Sequence, residues 1–267
     1  MISFFRVAMI SPLSRAIADV PGLCGIVPES VLPGYYGLEA GQSAVGDIFN
    51  WLVSKIEPGG KESGSHQALT AGAETLRPGA SGLLGLDWLN GNRTILVDQR
   101  LSGMLLGVTL HTSPAEIYRA LIESTAMGAR VIMERFEEYG VAVRRVVNCG
   151  GIAARNPLVM QIYADVMNRP IAVSRSLQTC ALGSAIAACV VAGPERGGYE
   201  KFEQAVGAMT GAQPRMFTPN PASVAVYERL YRLYRRLHDA FGVAGHQADL
   251  SDVMKELLSI RDRALAK

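Results

Sequence analysis

Cysteine and histidine are scarce in this sequence, and neither residue is spaced as a set of metal ligands. The four cysteines form no CxxC pair and no disulfide-rich cluster, so they favour a reducing cytoplasm over a secreted, cross-linked fold. The four histidines are scattered, and each is more typical of surface or packing than of a metal site. These residues are Cys24, Cys149, Cys180, Cys189, His66, His111, His238 and His246.

Long apolar runs and an excess of charge are also missing. The absence of any apolar run of about 18 residues argues against a membrane-spanning helix. The segment from Met1 to Ile17 is interrupted by charged residues and Pro12, so it is a poor signal peptide. A net charge of +2 over 267 residues, with 19% charged and 49% hydrophobic residues, is typical of a globular domain, and nothing in it favours nucleic acid. The length allows one large domain or two small ones.

Residues 146–193 carry the most organised pattern, which predicts strand, turn, helix, strand and helix. The first strand ends in Gly150 and Gly151, and a pair of glycines lets a ligand or another backbone approach closely. Asn156, followed by proline, is a strong helix start. A short strand and a second helix follow, and we expect Thr179 to cap that helix, which is rich in small residues.

Glycines at a strand end beside a helix N-terminus suit an anionic or nucleotide ligand. Exposed N–H groups and the helix dipole both favour negative charge at such a place. The same glycines also occur in ordinary tight turns, and the motif is neither GxGxxG nor a P-loop. The residues alone therefore leave both interpretations open.

Upstream of this stretch, the sequence predicts short strands at residues 24–27 and 31–36. A polar, glycine-bearing turn over residues 37–43 would then feed a helix, and residues 65–76 would form a short helix within a surface excursion. Glu39 lies where α/β proteins place ligand contacts, although a first-turn carboxylate that complements the helix dipole explains it at least as well.

The clearest helix begins at the capping box from Ser113 to Glu116, and Gly140 ends it. We expect this long helix to be the central core element. Asn220, followed by proline, starts another helix; its arginines indicate a solvated face rather than a basic patch, because Glu228 lies four residues before Arg232. A last helix, at about residues 250–266, is expected to be loosely attached.

Four segments occur in a fixed order: residues 34–49, residues 86–93, residues 150–153 together with 161–166, and residues 181–185. In this order they resemble the FGGY carbohydrate kinases. The similarity is greatest to the ribulokinase branch, through Gly-Leu-Glu-Ala-Gly-Gln and Leu-Asp-Trp-Leu-Asn-Gly. We expect the kinase C-terminal domain to cover residues 21–242, with an atypical segment at 1–20 and a helical tail at 243–267.

The resemblance implies an α/β fold of the ribonuclease H-like actin and hexokinase ATPase type, with helices flanking a mixed sheet of about five strands. It implies ATP with Mg²⁺, and a ketopentose such as ribulose, phosphorylated in arabinose and other carbohydrate catabolism. The residues expected at the ATP site are Gly46, Gly150, Gly151, Ile152, Ala153, Arg155, Asn156, Ala181 and Gly183. Glu39 would face the sugar.

Two departures from the family pattern set further expectations. The family's preceding domain, which holds the first phosphate loop and the general base, is expected to be absent, and residues 7–15 replace a Gly-Thr-Ser-Thr-like phosphate turn. A truncated or frame-shifted reading frame, or a misassigned start, would explain both. We therefore expect no catalytic residue here, weak ATP binding and self-association into a homo-oligomer. The alternatives are a non-catalytic actin-like module that binds nucleotide or a partner, and an inert domain.

Overall fold

The computed structural model describes residues 5–13, 19–60 and 64–266, with the backbone alone for residues 5–9. Both helices and strands occur throughout these residues. The strands are β1 (Phe5–Pro12), β2 (Gly25–Pro28), β3 (Tyr35–Gln42), β4 (Leu84–Leu86), β5 (Met104–Leu106), β6 (Val146–Asn148), β7 (Ile171–Ser174) and β8 (Ala212–Phe217). The helices are α1 (Gly46–Trp51), α2 (His66–Thr75), α3 (Pro114–Glu138), α4 (Gly151–Arg155), α5 (Pro157–Met167), α6 (Thr179–Ala192), α7 (Phe202–Met209), α8 (Pro221–Gly242) and α9 (Val253–Leu265). None of these helices combines the length and apolar composition needed to cross a bilayer.

The strands form three small sheets of three, two and three strands. The prediction of one sheet with about five strands is therefore wrong in the number of sheets and in the number of strands per sheet. The first sheet is antiparallel with the order β1–β3–β2, and the second pairs β4 with β5. The third has the order β6–β7–β8 and is mixed, because β6 pairs parallel to β7 while β8 pairs antiparallel to it. Strand β8 contains Pro214, which is tolerated at a sheet edge. Because proline is uncommon in strands, the sequence does not predict β8.

Strand β3 corrects the prediction for residues 31–43. The sequence predicts a strand at 31–36 and a turn at 37–43, whereas the observed strand runs from Tyr35 to Gln42. Its glycines suggested a turn, but it lies between β1 and β2, and both neighbours hydrogen-bond to it. The side chains of Leu38 and Ala40 are buried. Pairing on both edges and burial outweigh the weak strand preference of glycine.

The predicted helix starts are confirmed where a side chain caps the helix. Ser113 Oγ accepts from the amide of Glu116 at 3.3 Å, and Glu116 Oε2 accepts from the amide of Ser113 at 2.7 Å. Asn156 Oδ1 accepts from the amide of Val159 at 3.1 Å. Thr179 is the first residue of α6 and not its cap, because Gln178 precedes the helix and makes no capping hydrogen bond.

Helix α3 is the central core element, as expected. It packs against α2, α5, β3 and β4, and its Ile122, Ala126 and Phe136 side chains are fully enclosed. Two charged residues of the same helix, Arg119 and Glu123, are also buried. They form an ion pair with Nε to Oε1 at 2.8 Å, so their charges compensate each other inside the core.

The C-terminal helices are fixed more firmly than the sequence suggested. Helix α9 buries Val253, Leu257 and Ile260, so the expectation of loose attachment is wrong. The prediction of an i,i+4 ion pair between Glu228 and Arg232 is also wrong. Glu228 instead accepts from Arg130 of α3 at 2.6 Å. Two other arginines of α8 form ion pairs at α9: Arg229 with Glu256 of that helix, and Arg236 with Asp252, which directly precedes it.

Asp87, directly after β4, is a buried carboxylate held by neutral donors. Gln42 Nε2 donates to one of its oxygens at 2.6 Å, and the Tyr234 hydroxyl donates to the other at 2.8 Å. Gly128 of α3 leaves room for this carboxylate, since a Cβ there would come within 2.4 Å of Asp87 Oδ2. Burial raises the pKa of Asp87 to about 6, although both hydrogen bonds act to lower it.

Because the folded-state pKa of Asp87 lies above that of the unfolded chain, its contribution to stability is greatest at low pH and is lost as the pH rises through about 6. We expect the free energy of unfolding, relative to an Asp87→Asn variant, to increase by about 1 kcal/mol between pH 7 and pH 5. Urea denaturation of both proteins at the two pH values measures this difference. Parallel pH dependence in the two proteins would contradict the assignment.

Candidate nucleotide site

An open cleft of about 880 Å³ lies between α1, α2 and α4. Helix α1 begins soon after β3, and α4 begins at Gly151, the second glycine after β6, so the two sheets bring these distant segments together. The buried ring of Tyr118, from α3, forms part of the wall. The lining residues are Gly46, Asp47, Phe49, Asn50, His66, Gln67, Thr70, Ala71, Glu74, Tyr118, Gly151, Ile152, Arg155 and Asn156.

Most of the residues expected at an ATP site meet here. Gly46, Gly151, Ile152, Arg155 and Asn156 line the cleft itself. A smaller pocket of about 70 Å³ shares Gly151 and Ile152 with the cleft and adds Gly150 and Ala153. Segments separated by a hundred residues in sequence therefore contribute to one concave surface.

The remaining predicted site residues lie elsewhere. Ala181 and Gly183 are on the exposed side of α6 and line neither cavity. Glu39 is on β3, where its carboxylate lies 4.0 Å from Arg93 Nη2, and it lines neither cavity. It remains a prediction that Ala181 and Gly183 support the ATP site and that Glu39 faces the sugar.

The glycine pair shapes the mouth of the cleft. Gly150 has φ of +90°, a conformation that side chains other than glycine rarely adopt. Gly151 has no such restriction, and a Cβ added to it would meet no atom within 4 Å. A side chain at position 151 would therefore project into open space rather than disturb the packing.

Asn156 connects two walls of the cleft. Its Oδ1 caps α5, and its Nδ2 donates to Thr70 Oγ1 of α2 at 3.4 Å. One amide thus holds the start of α5 near the middle of α2.

Charged groups of both signs line the cleft. Arg155 is exposed and makes no ion pair with any residue that the structure describes. Asp47 and Glu74 contribute carboxylates from α1 and α2. The His66 ring has Nδ1 at 3.3 Å from the Tyr118 hydroxyl, and desolvation by partial burial lowers its pKa. Among the described residues that line the cleft, Arg155 is thus the cation without an ion pair at neutral pH.

The sequence predicts α2 as a short helix within a surface excursion, and it does not predict that this helix forms a wall of the cleft. His66, Thr70 and Glu74 are spaced by four residues, so they lie along one face of the helix. This row of polar residues is the feature of the sequence that indicates a shared polar face on α2. Sequence spacing alone does not show that the row faces a cleft rather than open solvent.

A protein cage for a metal ion is not found among the described residues, because no three His, Cys, Asp or Glu side chains cluster there. Mg²⁺ needs no such cage when phosphates are present, since it commonly binds one or two carboxylates together with phosphate oxygens and water. Asp47 and Glu74, both on the cleft wall, fit this requirement.

Comparison with known proteins supports the resemblance. The model of the FGGY family of carbohydrate kinases, C-terminal domain, matches residues 5–192. The ribulokinase of Halalkalibacterium halodurans is 50% identical over 250 residues, which cover 91% of this chain and 44% of that protein. The ribulokinase of Anoxybacillus flavithermus is 48% identical over 254 residues, with 92% and 44% covered. The chain thus spans less than half the length of these relatives.

A solved structure agrees with the fold. The xylulose kinase from Rhodospirillum rubrum superimposes with a TM-score of 0.73 at 27% sequence identity, covering 94% of this chain and 46% of that one. This confirms the predicted fold class, an α/β ATPase domain of the actin and hexokinase type. Since the family model also covers most of the sequence, the chain belongs to the FGGY family of carbohydrate kinases, as its C-terminal domain.

Proposed function

We propose that this chain supplies the nucleotide-binding half of a ribulokinase-type sugar kinase. The complete enzyme would transfer the γ-phosphate of ATP to a hydroxyl of ribulose or a related ketopentose. The curated relatives carry the name ribulokinase, and the chain spans 44% of their length. Their similarity favours a sugar kinase over a non-catalytic actin-like module.

The observation that carries the proposal is the convergence of the predicted ATP residues on one cleft. Gly46 on α1 and Gly151, Ile152, Arg155 and Asn156 near α4 line the same surface. They come from separate family segments, and the fold assembles them. A cleft of about 880 Å³ is large enough for a nucleotide.

Each group has a role that its chemistry supports. Gly150 and Gly151 leave space for the flat nucleoside, while Gly46 allows the phosphates to come close to the backbone. The guanidinium of Arg155 supplies positive charge for phosphate oxygens. Asp47 would hold Mg²⁺ through water or directly, and the ion would neutralise charge on the phosphates.

The other proposed contacts complete the enzyme. Ala181 and Gly183 would support the nucleoside through α6, and Glu39 would contact the sugar beside Arg93. Free thiols fit a reducing compartment, and all four cysteines are free, so we place the enzyme in the cytoplasm. We also propose that the chain self-associates through exposed apolar side chains such as Leu110 and Val191.

Replacement of Gly151 with valine is expected to weaken ATP binding by about tenfold or more, because Gly151 lines the cleft and the added side chain would occupy open space there. Isothermal titration calorimetry of the chain with ATP and Mg²⁺ measures this affinity. The parent chain measured by itself should already bind weakly, since its residues supply one wall of the family's two-domain cleft.

Gly207→Val is the matched control for this experiment. Gly207 lies on the exposed helix α7, and a Cβ there also meets no atom within 4 Å. Both variants should melt at similar temperatures, and the control should bind ATP like the parent. Equal ATP affinity of Gly151→Val and the parent would count against the site.

A further inference from the structure

A small cavity of about 20 Å³ lies at the C-terminal end of β3, among side chains of three distant segments. Gln42 contributes from the end of β3, Trp88 from the segment after β4, and His238 from α8. All three side chains are more than nine-tenths buried. None of them lines the nucleotide cleft.

Each of these side chains has one buried polar atom without a partner among the described residues. The atoms are Gln42 Oε1, Trp88 Nε1 and His238 Nε2. Gln42 uses its amide hydrogens elsewhere, since Nε2 donates to Asp87 and to the carbonyl of Thr125. An unsatisfied buried polar atom is destabilising, and because all three side chains line one cavity, a common partner there would satisfy them.

The chemical role of each atom follows from its neighbours. The indole Nε1–H of Trp88 can only donate, and Gln42 Oε1 can only accept. His238 Nδ1 lies 2.8 Å from Asp239 Oδ1, and a carboxylate accepts, so Nδ1 carries the hydrogen. The Nε2 atom of a neutral His238 then has a free lone pair and accepts. Burial lowers the pKa of His238, which favours the neutral form.

We infer that this cavity is a binding site for one water molecule that accepts from Trp88 and donates to Gln42 and His238. One donor and two acceptors match the hydrogen-bonding capacity of water, and buried waters typically make about three such bonds. The volume of about 20 Å³ exceeds the roughly 10 to 15 Å³ that a single water requires.

Other small occupants fit less well. A metal ion or an ammonium ion would face the hydrogen of the Trp88 indole, which carries positive charge. An anion would face Gln42 Oε1 and the His238 lone pair, besides the carboxylate of Asp87 in the same cavity wall. Water alone satisfies both kinds of group. The site therefore ties β3, the segment after β4 and α8 together.

The test uses the indole hydrogens of the full chain, which has two tryptophans. In a Trp51→Phe variant the single remaining indole signal belongs to Trp88, and Trp51 is a half-exposed surface residue whose loss should leave the fold intact. We expect a nuclear Overhauser cross peak between Trp88 Nε1–H and the water resonance, with the sign of a long-lived bound water. Its absence in a folded protein would overturn the inference.

A second variant tests the bridging geometry. His238→Phe removes one acceptor and should abolish the cross peak, while His246→Phe, at an exposed histidine, should retain it. Survival of the cross peak in a folded His238→Phe protein would show that His238 does not hold the water. If His238→Phe does not fold, a crystal structure of the parent decides: density within hydrogen-bond distance of all three atoms supports the site, and an empty cavity refutes it.

Discussion

Replacement of Arg119 with methionine is expected to lower the free energy of unfolding by about 3 to 5 kcal/mol, because it leaves the Glu123 carboxylate buried without its counter-charge. Arg119 donates to Glu123 at 2.8 Å, to the Ala73 carbonyl at 2.9 Å and to the Tyr227 hydroxyl at 2.9 Å. The Tyr227 hydroxyl in turn donates to Glu123 at 2.9 Å. This network joins α2, α3 and α8, so its loss affects three core elements.

Two variants control for this result. Arg232→Met, on the exposed side of α8, should change the free energy of unfolding by less than about 0.5 kcal/mol. The double variant Arg119→Met with Glu123→Leu removes the stranded charge and should recover much of the loss. Urea denaturation compares all of them. A stability for Arg119→Met within the range of the Arg232→Met control would refute the role of the network.

The second large effect concerns catalysis. We expect the chain on its own to show no ribulose-dependent ADP release, and to become active when the N-terminal domain of a related ribulokinase is supplied and the phosphate turn near residues 7–15 is restored. General-base catalysis typically contributes about 10²- to 10⁴-fold, and the resemblance implies that the family's base belongs to that domain. Correct orientation of both substrates can supply roughly 7 to 11 kcal/mol more.

A coupled assay of ADP release with ribulose measures this activity for the chain alone and for the mixture. The Gly151→Val chain in the same mixture is the control, and at subsaturating ATP it should turn over more slowly by about tenfold or more, because its ATP affinity is reduced by that factor. Residues 14 and 15 of the segment that replaces the phosphate turn, and residues 16–18 after it, lie outside the described residues. Robust ribulose-dependent turnover by the chain alone would contradict the expectation and make Glu39 or Asp47 the first candidate base.

Local signals in the sequence predicted the helix starts well. Ser113, Asn156 and Asn220 each accept from a backbone amide two or three residues ahead, and such a contact depends only on neighbouring residues. The sequence also predicted correctly that β6 ends just before the glycine pair, a short-range pattern, but it did not predict that Gly151 begins a helix: Gly150 precedes α4 and Gly151 is its first residue.

Features set by distant partners were predicted less well. Strand β3 depends on hydrogen bonds from β1 and β2, and β8 depends on its pairing with β7. Glu228 pairs with Arg130 across two helices rather than with Arg232 on its own helix. The α2 wall of the cleft belongs to the same class, because only the tertiary fold turns Thr70 toward Asn156.

The most direct test of the nucleotide site is a titration of the ¹⁵N-labelled chain with ATP and Mg²⁺, followed by backbone amide chemical shifts. We expect the amides of Gly46, Gly151, Ile152 and Asn156 to shift together and saturate at one ATP concentration, while the amide of Gly207 stays in place. Shifts that leave these four amides unchanged, or that cluster on another face of the domain, would contradict the proposal that this cleft binds the nucleotide.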